Sequence, residues 1–91
     1  MYTAHQITRK DVESIGARVY ATTSHGLPST ETLTECGWER LGSNAGTYGL
    51  NWTAWLSKDH GTVLLTDAYR NAPKSTAYVD RHTAYQIAAR A

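Results

Sequence analysis

The stretch 47–70, TYGLNWTAWLSKDHGTVLLTDAYR, decides the fold because it has the pattern of a β-hairpin. Its first half alternates apolar residues with polar or small ones, which is the period of a strand with one buried and one solvated face. The apolar positions are Tyr48, Leu50, Trp52, Ala54 and Leu56. Residues 58–61 (KDHG) have turn chemistry, with Gly61 able to adopt a positive φ. Residues 62–66 (TVLLT) have the composition of a second strand, so we expect the rest of the chain to pack against a hairpin.

The N-terminal part predicts a helix over residues 9–22. Thr8 is a candidate N-cap with Asp11 at the N3 position, and Ile7 and Val12 occupy the positions of a hydrophobic staple. An apolar stripe at helical spacing follows, with Gly16 on it, where close approach to the sheet is the natural use of a glycine.

The C-terminal part predicts a second helix. Asp80 is a candidate N-cap, and residues 84–89 are mostly good helix formers. Tyr78 belongs either to this helix or to a short extended lead-in.

Between these ends, residues 29–36 fit two structures. With Ser29 as N-cap and Gly37 just past the end, they form a short helix, and the presence of these two flanking residues favours this structure. With a period of two, they extend the next strand backwards. Residues 37–41 (GWERL) predict that strand, and residues 42–46 (GSNAG) predict a turn into the hairpin.

Together these elements predict an α+β fold. Its sheet is a small three-stranded antiparallel β-meander, with the N-terminal and C-terminal helices packed on one face and a possible short extra helix at 29–36. We expect residues 1–91 to form a single domain, since this length supports one thin core.

The totals exclude several function classes. The net charge is +1, and the nine Lys and Arg are dispersed, whereas a strongly basic nucleic-acid binder or an acidic DNA mimic would be less balanced. No run approaches the ~20 apolar residues that span a bilayer, and residues 1–11 lack the apolar core of a signal peptide. The lone Cys36 fits a reducing compartment, so we expect a cytoplasmic protein with no membrane partner.

Residue patterns for catalysis and metal binding are missing. None of the four histidines has a His, Cys, Asp or Glu neighbour in a recognised ligand pattern, and Cys36 has no CxxC partner. No serine lies in a G-x-S-x-G elbow, and the glycines at 42 and 46 are not followed by the Lys of a phosphate loop. We therefore expect no enzyme activity, no metal and no cofactor.

The chain has three Trp, six Tyr and no Phe, so every ring carries a polar group. Trp55 is the most informative ring, because the register places it on the otherwise polar face of the hairpin. Either that face is exposed and Trp55 forms an aromatic and cationic patch, or a second element covers it. The exposed alternative predicts a partner-binding site formed by Trp38, Arg40, Trp55, Lys58, His60 and Arg70.

Aromatic and Arg anchors of this kind are typical of protein interfaces. We therefore expect a small protein-binding module that acts by surface contact. In general character, though in no motif, the chain resembles short accessory proteins of phages and mobile elements that inhibit a host protein complex. Two alternatives stay open: single-stranded nucleic-acid binding through the same aromatic and basic face, and a homodimer formed through an unpaired sheet edge.

Overall fold

The computed structural model describes residues 6–23, 28–44, 52–68 and 72–90. The helices are α1 (Arg9–Ile15), α2 (Thr30–Glu35) and α3 (Arg81–Arg90). The strands are β1 (Arg18–Ala21), β2 (Glu39–Ser43), β3 (Thr53–Leu56), β4 (Thr62–Thr66) and β5 (Ala77–Tyr78). They form one sheet in the order β2-β3-β4-β1-β5. The fold is α+β, as the sequence predicts, but its sheet is five-stranded and mixed.

The predicted antiparallel meander forms one half of this sheet. β3 pairs antiparallel with both β2 and β4, and the Ser57 N–H donates to the Thr62 carbonyl at 2.9 Å to close the hairpin. β2 begins two residues later than predicted. It also takes in Gly42 and Ser43, which pair with β3 and do not form the predicted turn.

Two strands that the meander prediction lacks extend the sheet beyond β4. β1 pairs parallel with β4, placing Val19 opposite Val63, and β5 pairs parallel with the other edge of β1. The helix predicted over 9–22 therefore ends early. Gly16 adopts the left-handed conformation (φ 75°) and terminates α1, and Val19 and Tyr20 are residue types that favour strands.

The predicted start of α1 is confirmed. The Asp11 N–H donates to the Thr8 hydroxyl oxygen at 3.2 Å, and the Thr8 N–H donates to the Asp11 carboxylate at 2.8 Å, which completes a capping box. Ile7 and Val12 are both buried in the same apolar cluster, as a hydrophobic staple requires.

Residues 30–35 form the helical alternative, with Ser29 as the N-cap. Gly37 takes the left-handed conformation (φ 87°), and its N–H donates to the Thr34 carbonyl at 3.1 Å. The Trp38 N–H donates to the Leu33 carbonyl at 3.0 Å, which gives the Schellman pattern of a helix C-terminus. This ending explains why the strand does not begin at residue 37.

The predicted cap of the C-terminal helix is also confirmed. The Thr83 N–H donates to the Asp80 carboxylate at 2.7 Å, and α3 begins at Arg81. Tyr78 lies in β5, so it belongs to the extended lead-in and not to the helix.

Helices cover both faces of the sheet, which differs from the predicted packing on one face. On the α1 face, the cluster of buried side chains is Ile7, Val12, Val19, Ala21, Trp52, Ala54, Leu56, Val63, Leu65 and Ala68. On the α2/α3 face, the cluster is Leu33, Trp38, Trp55, Leu64 and Ala88, with Tyr20, Cys36 and Ile87 packed against it. The predicted inward positions Trp52, Ala54 and Leu56 are confirmed, while Tyr48 and Leu50 lie outside the described residues.

Trp55 is covered. Only 3% of its surface is exposed, since Leu33 of α2 packs in the same cluster. Val63, Leu64 and Leu65 are all fully buried, which is the pattern of a strand with both faces covered. The second of the two alternatives for the Trp55 face is therefore the observed one.

Trp38 ties α3 to the end of α2. Its indole Nε1–H donates to the Ala88 carbonyl at 3.0 Å. Ala88 lies in the last turn of α3, where carbonyl groups lack intrahelical partners, so this bond satisfies a carbonyl group of the helix end.

We expect Trp38→Phe to lower the free energy of unfolding by about 1 kcal/mol more than Trp55→Phe does. Both changes replace an indole by a smaller phenyl ring in the same cluster, but only Trp38→Phe also removes the hydrogen bond to the Ala88 carbonyl. Urea denaturation of both variants measures the difference, and equal losses would contradict a stabilising role for this bond.

The left-handed residue of the hairpin turn is His60 (φ 64°), not Gly61 as the sequence suggests. The His60 N–H donates to the Ser57 carbonyl at 2.9 Å, and the Gly61 N–H donates to the Asp59 carboxylate at 2.9 Å. A histidine pays a steric cost in this conformation that a glycine does not.

His60→Gly is therefore expected to raise the free energy of unfolding by about 0.5–1 kcal/mol. Lys58→Gly is the matched control in the same turn. Lys58 does not have a positive φ, so glycine there relieves no strain, adds unfolded-state entropy and lowers stability. Thermal and urea unfolding of both variants tests whether the left-handed conformation strains His60. A His60→Gly variant that is less stable than the wild type would refute this.

Candidate functional site

A groove with a volume of about 220 Å³ opens on the α2/α3 face beside the hairpin turn. We call it the arginine groove. It is lined by Arg18, Tyr20, Asp59, Thr62, Ile87 and Arg90.

The sheet positions one wall of the groove. Arg18 and Thr62 are the first residues of β1 and β4 and lie opposite each other in the parallel register. The Arg18 N–H donates to the Gly61 carbonyl at 3.1 Å, which fixes the start of β1 against the hairpin turn. Tyr20 lies two residues further along β1 and so on the same face as Arg18.

The C-terminal part of α3 forms the opposite wall. Ile87 and Arg90 are three residues apart and therefore neighbours on one side of the helix. Ile87 packs against the buried cluster, while Arg90 is exposed in the last turn, where the helix dipole favours a cation. Burial of Ile87 thus holds the Arg90 end of α3 over the groove.

Asp59 closes the groove at the turn. Its carboxylate accepts hydrogen bonds from the Ser57 hydroxyl at 2.7 Å and from the Gly61 N–H at 2.9 Å. The bond from Ser57 and then the bond from Gly61 lower the pKa of Asp59 below its ordinary value, since both stabilise the ionised form. Asp59 is therefore an anion that braces the turn.

The two arginines give the groove its chemistry. Within the part of the chain that the structure describes, neither the Arg18 nor the Arg90 guanidinium has a hydrogen bond or an ion pair. Two guanidinium groups, a phenol and a hydroxyl around one cavity provide donors for an anionic group.

The bonds of Asp59 predict a pH effect on stability. A carboxyl group whose pKa is lowered by folding stabilises the protein above its unfolded pKa of about 3.9, and this contribution is lost as the pH falls towards the folded value. We expect Asp59→Asn to lose less stability than the wild type between pH 5 and pH 2.5, measured by urea denaturation at each pH.

Glu35→Gln is the control for removing a negative charge alone, since no hydrogen bond of the Glu35 side chain is present among the described residues. If Asp59→Asn and Glu35→Gln show the same pH dependence, the bonds to Asp59 do not stabilise its ionised form.

Two of the six residues predicted to bind a partner lie in the core. Trp38 is 4% exposed and Trp55 is 3% exposed. Their rings pack under α2 and α3, so they support the surface and do not form it.

A second cavity, with a volume of about 290 Å³, brings two predicted residues together. Arg40 and Trp55 are cross-strand partners, and both line this cavity with Thr30 of α2 and Asp67. The Arg40 guanidinium donates to the Ser43 hydroxyl at 3.1 Å, so it is already engaged with its own strand.

Lys58 and His60 are both exposed and lie in the hairpin turn on either side of Asp59. The aliphatic part of Lys58 runs beside Gly37, where a β-carbon would lie 3.4 Å from the Lys58 Cδ. These two predicted residues are therefore next to the arginine groove. Arg70 lies outside the described residues.

None of the six groove residues is among the predicted site residues, since the sequence assigns Asp59 only to a turn and Thr62 only to a strand. The other four are Arg18, Tyr20, Ile87 and Arg90. Arg18 and Tyr20 fall inside the predicted helix over 9–22, so they were not recognised as a strand pair on one face. Gly16 as a helix end and the alternation of Arg18 and Tyr20 with Val19 and Ala21 would have indicated the strand. No local pattern connects Arg90 to β1.

No protein-family model, no curated protein and no solved structure was found to match the chain. Among the described residues, no three or more His, Cys, Asp or Glu side chains are grouped as a metal ion would require. No helix in the described ranges combines the length and the apolar character needed to cross a membrane.

Proposed function

We propose that the protein binds another protein through the end of the domain that carries the hairpin turn and the arginine groove, and that it acts by this contact and not by catalysis. The observation that carries the proposal is a pair of guanidinium groups, Arg18 and Arg90, that have no partner among the described residues and lie near the exposed Lys58 and His60.

The residue types of this surface support a protein partner. Arg and Tyr are enriched among the residues that dominate interface energies, and they are most effective beside apolar surface that excludes water. Here Tyr20 and Ile87 are half-buried and supply that surface between the two arginines. The braced turn presents its side chains on a fixed backbone, which reduces the entropy cost of binding.

The more specific hypothesis from the sequence, inhibition of a host protein complex in the cytoplasm, is a consequence of the same contact. An inhibitor of this kind occupies a surface that another component needs. Burial of Trp38 and Trp55 weighs against single-stranded nucleic-acid binding, because these two rings are not available for base stacking.

Self-association is the second proposal. β5 is a strand of two residues at the edge of the sheet, and Tyr78 on it is 52% exposed. Exposed strand edges pair readily with other strands, so a second copy of the chain fits this edge.

Affinity capture with variants tests the leading proposal. The tagged protein is incubated with nuclease-treated lysate of the cells that encode it, and bound proteins are identified by mass spectrometry. We expect one protein to be enriched, and Lys58→Glu to reduce its recovery about tenfold through charge repulsion. Lys10→Glu is the matched control, since Lys10 is also exposed but lies on α1, across the sheet.

A parallel capture omits the nuclease, and recovery seen only in that untreated lysate would overturn the proposal. Recovery that Lys58→Glu and Lys10→Glu affect equally would place the contact elsewhere.

Light scattering across protein concentrations, compared between the wild type and Tyr78→Lys, identifies association through β5.

A further inference from the structure

We infer that the arginine groove binds a single carboxylate side chain from an acidic segment of the partner protein. This inference rests on the proposed function and specifies the chemistry of the partner. It follows from the charge, the size and the hydrogen-bonding groups of the groove.

The charge of the groove matches a monoanion. Arg18 and Arg90 contribute two positive charges, and the ionised Asp59 contributes one negative charge, so the net charge is +1. One carboxylate neutralises it. A phosphomonoester carries nearly two negative charges at neutral pH, so it would leave the groove with a net negative charge.

The size of the groove matches one side chain. Its volume of about 220 Å³ is below the roughly 300–1,000 Å³ of cavities that enclose whole small-molecule ligands. A partner side chain enters such a groove while the rest of the segment lies across the neighbouring surface.

The polar groups fit a carboxylate with apolar flanks. Guanidinium groups bind carboxylates through two parallel hydrogen bonds, and the Tyr20 phenol and the Thr62 hydroxyl line the same space. Ile87 and the Tyr20 ring offer apolar surface for the flanking side chains. The expected motif is an acidic residue between apolar residues.

A peptide titration tests this inference. The probe is a blocked pentapeptide with the sequence Gly-Leu-Glu-Leu-Gly, and the comparison peptide has Gln in place of Glu. Binding is followed by the ¹⁵N–¹H amide shifts of the groove residues. We expect the Gln peptide to bind about tenfold more weakly, since each exposed Arg–carboxylate pair contributes modestly.

The double variant Arg18→Gln/Arg90→Gln is expected to weaken binding of the Glu peptide about tenfold. The matched control is Arg9→Gln/Lys10→Gln, which removes the same charge from exposed positions on α1, and it should change binding less than twofold. All four positions are exposed, so we expect both double variants to fold. Their amide spectra check this directly.

Three results would overturn the inference: no shifts at millimolar Glu peptide, equal binding of the Glu and Gln peptides, or tighter binding of a phosphoserine peptide or an oligothymidine strand at these amides. If the peptide fails but Lys58-dependent capture of a protein persists, the proposed function stands without this groove chemistry. If the peptide binds but no Lys58-dependent partner is captured, the proposed function fails instead.

Discussion

Burial of both faces of the central strands is the constraint on which the rest of the structure depends. Leu64 faces α2 and α3, while Val63 and Leu65 face α1, and all three are fully buried. A sheet with two apolar faces needs cover on both sides. For this reason α1 covers one face of the sheet, α2 and α3 cover the other, and the sheet is the middle of three layers.

The same constraint determines which side chains remain for function. Because Trp38 and Trp55 are buried on the α2/α3 face, their rings are unavailable to a partner. The contact surface that we propose is the rim of the covered face, where β1 and β4 begin and α3 ends beside the hairpin turn. Arg18, Lys58 and Arg90 are exposed there, since charged side chains remain in water at the ends of packed elements.

The bond from the Trp38 indole to the Ala88 carbonyl links this rim to the core. It joins the end of α2 to the last turn of α3, and Arg90 lies two residues beyond that carbonyl. The hydrogen bond from the Arg18 N–H to the Gly61 carbonyl likewise fixes the position of Arg18 against the hairpin turn. Two non-local hydrogen bonds thus position two arginines that are 72 residues apart in the sequence.

Local sequence determined the elements whose causes are local. The capping box at Thr8 and Asp11, the caps at Ser29 and Asp80, and the antiparallel meander all follow from neighbouring residues and short connections. Tertiary structure decided the rest. The partners of residues 18–21 in the sheet, β4 and β5, are set only in the folded chain, and whether Trp55 is exposed depends on α2 packing over it. The arginine groove exists only in the folded chain, because its walls come from segments that no short-range pattern connects.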